Sequence, residues 1–169
     1  MKIIILFQFL FISVIPFPQI TFQKTYGGLM VEECDAVVQT EDGGFLLAAS
    51  TRSYGSGNYD LYIIRTNPYG DTLWTKTFGG TGFDTAKDII KIDDTNYLIA
   101  GSLDGKVYLI KIKDDGNTMW TKVIGNEDDY IVNTVKKTQG GGFVLCGNKN
   151  LSDYFILKTD GNGDSVWTQ

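Results

Sequence analysis

The stretch Leu61 to Gly80, LYIIRTNPYGDTLWTKTFGG, decides the fold because the chain repeats it. It returns as VYLIKIKDDGNTMWTKVIGN from Val107 to Asn126 and as YFILKTDGNGDSVWTQ from Tyr154 to Gln169, with Trp74, Trp120 and Trp167 spaced 46 and 47 residues apart. Upstream of each tryptophan lies a second shared block: DGGFLLAAS from Asp42, DTNYLIAGS from Asp94 and GGGFVLCGN from Gly140. A third, shorter apolar segment precedes each of these, at Cys34 to Thr40, Ala86 to Ile92 and Val132 to Thr138. Self-similarity at a fixed period is the signature of a repeat architecture, in which one unit buries its apolar faces only against its neighbours.

Each unit predicts four short strands. In the first they are Ala36 to Thr40, Phe45 to Thr51, Leu61 to Asn67 and Thr72 to Phe78, separated by turns rich in Gly, Asn and Asp. The runs Phe45 to Ala49 and Leu61 to Ile64 are apolar on both faces, whereas a sheet with one wet face would alternate. Four strands in a unit of this length, covered on both sides, predict an all-β fold of β-propeller type. About three four-stranded antiparallel blades are expected, near residues 24–77, 78–123 and 124–169. A β-sandwich would leave one face of each sheet polar, and the coils of a parallel β-helix are usually shorter. Propellers have about four to eight blades, so the predicted propeller is incomplete and needs further blades, from the same chain or another, to close.

Composition narrows the function. The 169 residues carry 15 Lys and Arg against 20 Asp and Glu, a net charge of −5, which disfavours binding to a phosphate backbone. Histidine is absent, which removes Ser-His-Asp and Cys-His catalysis and histidine-based zinc sites. Met1-Lys2 followed by an apolar run from Ile3 to Ile15 reads as a signal peptide over residues 1–21, and hence as export to the cell surface or beyond. Thirteen residues of helix would span ~20 Å, short of the ~30 Å of hydrocarbon in a bilayer, so no permanent membrane span is expected. TFQKTYGG, Thr21 to Gly28, aligns with LWTKTFGG, Leu73 to Gly80, so that Phe22 stands where the repeats have tryptophan. The segment is therefore expected to act as a closing strand, with cleavage before Phe22.

The remaining candidates for chemistry are sparse. Cys34 and Cys146 fall at small, buried positions of different units and are expected to be free thiols. The turn Asp160-Gly-Asn162-Gly-Asp164 alternates oxygen ligands like a calcium loop but lacks its later Gly and Glu, and Lys113 replaces the first ligand in another copy; a hairpin turn is the better account. Arg65, Lys111 and Lys158 recur at the end of the third strand, where solvated ends or local ion pairs are expected rather than a ring for an anion. Paired carboxylates such as Glu32-Glu33 and Asp128-Asp129 sit in turns. The insertion Thr51 to Asp60, TRSYGSGNYD, carries Tyr54 and Tyr59 on a Gly/Ser-rich loop, the kind of placement that grips a protein or glycan ligand.

FGGTGFDTAKDII, DTNYLIAGS and VYLIKIKDDGNTMWTKV together resemble the secreted bacterial, Bacteroidetes-type β-propeller repeat family, over about Lys24 to Gln169. DGNGDSVW, Asp160 to Trp167, is similar to the docking motif of quinoprotein (PQQ-type) propellers. The resemblance implies that Trp74, Trp120 and Trp167, with Phe22 beside them, are blade-docking residues. It fixes no activity. The function expected is a non-catalytic, exported binding scaffold without cofactor or metal, for an unknown protein or glycan, or else the N-terminal part of a larger secreted protein. A quinoprotein-like enzyme would need residues that do not map onto this chain.

Overall fold

The computed structural model describes residues 21–126 and 129–168; the expected signal sequence lies almost wholly outside them. Twelve strands and no helix make up the described residues, arranged as three four-stranded antiparallel sheets. The first holds β1 (Glu32–Gln39), β2 (Phe45–Thr51), β3 (Asp60–Thr66) and β4 (Thr72–Phe78), paired in chain order. The second repeats this with β5 (Asp84–Lys91), β6 (Asn96–Leu103), β7 (Lys106–Lys113) and β8 (Thr118–Ile124). The third holds β9 (Tyr130–Lys137), β10 (Phe143–Lys149), β11 (Asp153–Thr159) and β12 (Ser165–Thr168). These are three propeller-like blades without ring closure.

Two apolar interfaces join them. Leu46, Ala48, Leu61 and Ile63 of the first blade pack with Tyr97, Ile99, Tyr108 and Ile110 of the second. Leu98, Ala100, Val107 and Leu109 on the second blade's other face meet Phe143, Leu145, Phe155 and Leu157 of the third. Every residue of β3 is therefore buried, as is most of β7, which explains the unbroken apolar runs. The third blade departs from the expectation of two covered faces. Along β11, buried Phe155, Leu157 and Thr159 alternate with exposed Tyr154 and Ile156, because no described residue covers that far side.

Two polar pins reinforce the stacking. Arg65, 1% exposed, donates from Nε and Nη2 to both Asp114 oxygens of the next blade, at 2.9 and 3.0 Å, and from Nη2 to Asp42 at 2.9 Å. Of the two expectations for this strand end, solvation and an ion pair, the ion pair holds at Arg65 and solvation does not: β3 is buried along its whole length, and only a planar fork satisfies two carboxylates there. Between the second and third blades, Asp88 Oδ2 accepts from the Thr134 hydroxyl (2.7 Å), Val135 N (2.9 Å) and Lys136 Nζ (3.2 Å).

Both cysteines are free, as expected, but exposed rather than buried. Their equivalents Ala86, Val132, Ala48 and Ala100 are covered because each faces a neighbouring blade. Cys34 lies on the side of the first blade turned away from the second, and Cys146 on the far side of the third.

Candidate functional site

The turn joining third to fourth strand carries a buried glycine in every blade, Gly70, Gly116 and Gly163, at φ of 77°, 85° and 82°. An aromatic ring lies on each, in the second and third blades one from the preceding fourth strand. A Cβ on Gly116 would stand 3.2 Å from the Trp74 ring, and one on Gly163 2.7 Å from the Trp120 ring. The Trp74 indole also donates to Asp114 O at 3.1 Å. Phe22 covers Gly70 in the same way and meets Phe45 edge-on at 5.8 Å between centroids. Lys24 pairs with Asp71 as Lys122 pairs with Asp164, and the Tyr26 hydroxyl donates to Gly70 O at 2.8 Å. The segment from Phe22 to Gly27 thus takes the place of a fourth strand, yet forms no ladder with any described strand. Trp167 faces no described turn and is 42% exposed.

The insertion is tied down rather than loose. Thr51 Oγ1 accepts from Ser53 N and Tyr54 N, and Asp60 Oδ2 accepts from Ser56 N. Tyr54 stacks on Tyr62 at 5.2 Å and donates to Gly27 O, which commits its ring to the first blade's outer face. Tyr59 packs against Phe83 at 4.9 Å, lies under the Arg52 guanidinium and points its hydroxyl at Glu33, 3.5 Å away. The structure does not bring the two tyrosines to one site: Tyr59 touches Phe83 and Glu33 at the edge of a cleft between the blades, whereas Tyr54 lines a separate hollow with Gly28, Leu29, Met30 and Ser53.

That cleft has a volume of 390 Å³ and takes residues from all three blades. Glu33 comes from the first; Phe83, Thr85, Lys87, Ser102 and Gly105 from the second; Asp129, Tyr130, Ile131 and Leu151 from the third. Three of these are exposed apolar side chains: Phe83 at 57%, Ile131 at 37% and Leu151 at 81%. The polar groups are largely engaged within the fold. Lys87 Nζ bonds Asp35 at 3.0 Å, and the Ser102 hydroxyl donates to Tyr130 O and accepts from Val132 N. Asp129 is held between two turns, its N–H donating to Asn150 Oδ1 and its carbonyl accepting from Asn150 N.

Leu151 is the unusual member. The hairpin Lys149 to Ser152 closes through Ser152 N on Lys149 O, with Asn150 and Leu151 at φ of 50° and 60°. This is a turn of type I′, and the corresponding turn of the second blade uses Asp104 and Gly105, the sequence such turns favour. A leucine where glycine belongs is strained and exposed at once. Sequence reasoning missed this cleft. Its signals were Leu151 aligned with Gly105 and the apolar Phe83 inside a glycine-rich connection.

The oxygens once suggestive of calcium serve their own turn: Asp160 Oδ1 accepts from Asn162 N and Asp164 N at 2.9 Å, as Asn67 Oδ1 does from Tyr69 N and Asp71 N. No family model and no curated protein matches the chain.

Proposed function

We propose that this chain is a non-catalytic, exported propeller-repeat protein that binds its ligand at the loop end of the blades. The observation that carries this reading is the apolar cleft to which all three blades contribute. Its size suits a ligand pocket, and clefts of mixed apolar lining with a few polar groups are where ligands bind. The lack of histidine in the sequence and the commitment of the Ser102 hydroxyl to the blade contact favour binding over turnover. Further blades, of this or another chain, cover the far side of the third. Cys146, Tyr154, Ile156 and Trp167 lie exposed there at the positions where Ala48, Leu61, Ile63 and Trp74 are covered in the first. The resemblance to secreted Bacteroidetes-type repeats and the apolar Ile3 to Ile15 run support export.

The test is a titration of isotope-labelled protein with short peptides and small oligosaccharides, followed by NMR. Shifts clustered on Phe83, Tyr130, Ile131 and Leu151 are expected. A ligand whose shifts fall elsewhere, with none reaching the cleft, contradicts the reading. Export is checked by fusing residues 1–21 to a reporter active only outside the cytoplasm; a silent fusion removes that part.

A further inference from the structure

The identity of the ligand class follows from charge, and this step rests on the cleft being a binding site. Two carboxylates, Glu33 and Asp129, line the cleft, and no ion pair joins either to a described lysine or arginine. The cleft's own cation, Lys87, is neutralised by Asp35. The cleft thus offers an apolar floor beside two carboxylates that no described lysine or arginine pairs with. A glycan finds little there. Sugar rings stack on free aromatic faces, and their hydroxyls take donors as well as acceptors, of which the cleft has only the latter to spare. Phe83 has Tyr59 against it, and Tyr130 has Phe155 edge-on at 5.2 Å and Lys149 over its ring. The Lys87 and Ser102 donors already have acceptors.

We infer that the cleft docks a segment of a partner polypeptide in which an apolar side chain stands next to lysine or arginine. The apolar group packs between Phe83, Ile131 and Leu151, and the cation lies between Glu33 and Asp129. Leu151 is kept in its left-handed conformation for this contact, since strain persists where it serves a function and the hairpin alone would be better made with glycine.

The probe is a fluorescein-labelled peptide, Lys-Leu-Lys-Phe-Lys, read by anisotropy, beside its Glu-Leu-Glu-Phe-Glu counterpart and maltotetraose and chitotriose followed by NMR. The lysine peptide is expected to bind and the glutamate peptide to bind at least tenfold more weakly. The double variant Glu33→Gln, Asp129→Asn should weaken the lysine peptide at least tenfold. Asp94→Asn, a control on an exposed turn, should leave it within twofold. Leu151→Gly should weaken it about fivefold while raising the unfolding temperature, a combination that mere loss of structure does not give. Equal binding by both peptides, or by wild type and the cleft variants, overturns the inference. If only the sugars shift Phe83, Ile131 and Leu151, the ligand class is wrong and the cleft remains a binding site. If no probe reaches the cleft, both readings fall.

Discussion

Leu151 and Arg65 sit in surroundings that run against what their types prefer. An L-residue in the left-handed region costs roughly 1–2 kcal/mol relative to glycine, so Leu151→Gly should stabilise the fold by about 1 kcal/mol, measured as a higher denaturation midpoint at unchanged slope. A midpoint that falls would show that Leu151 contributes packing instead. Arg65 poses the opposite case. Lysine stands at the equivalent position 111, yet Arg65→Lys should cost about 1–2 kcal/mol, because one ammonium cannot replace three guanidinium bonds to Asp42 and Asp114. Chemical denaturation of the single variant checks this, and a cost near zero would mean that water supplies what the guanidinium gives.

At the scale of the element, the repeating contact is an aromatic ring from one fourth strand laid on the turn glycine of the next blade. Trp74 and Trp120 are half-buried, so replacing either by alanine should cost somewhat less than the ~3–5 kcal/mol of a full aromatic truncation, about 2–3 kcal/mol. Trp167→Ala should cost under about 1 kcal/mol in the same experiment, since its ring meets no described neighbouring blade. Equal losses at all three positions would refute the docking role. Gly163→Ala should reproduce much of the Trp120→Ala loss, as a methyl there meets both the ring and a φ of 82°.

Across the whole molecule, carboxylates pin strands and blades together and set its response to acid. The Thr40 hydroxyl and Gly44 N–H, then Arg65, hold the Asp42 carboxyl down at about 2. Burial pushes Asp88 up, but its bonds to Val135, Thr134 and Lys136 more than offset this and leave it below the usual range. A carboxyl lower in the folded than in the unfolded state stabilises above its unfolded value, and that stability is lost as pH falls towards the folded one. Asp60 runs the other way, raised by burial and by the charge of Asp84 despite the Ser56 N–H, so its contribution improves as pH falls. Glu32, Asp71, Asp93 and Asp115 are depressed as well, so lowered carboxyls outnumber the one raised and predict a melting temperature that declines from about pH 4 to pH 2, with Asp42→Asn flattening the decline. Melting curves of wild type and variant across that range decide it; parallel declines would remove Asp42 from the explanation.

The three units, their four strands each and the both-faces-apolar strands were legible in the sequence, because burial between like sheets imposes a repeating pattern of residue types. In β2 and β4 the expected bounds, Phe45 to Thr51 and Thr72 to Phe78, match the strands; β1 begins earlier, at Glu32. Phe22 aligns with the tryptophans through its neighbours QKTYGG alone. What pattern could not supply was which faces lack a neighbour. Cys34 and Cys146 read as buried because their aligned partners are, and only the ends of the stack expose them. Nor could it show the cleft, whose lining comes from positions spread between Glu33 and Leu151. A repeat records the environment that every unit shares. The cleft and the open faces arise where units differ in their neighbours, and that is a property of the assembled stack.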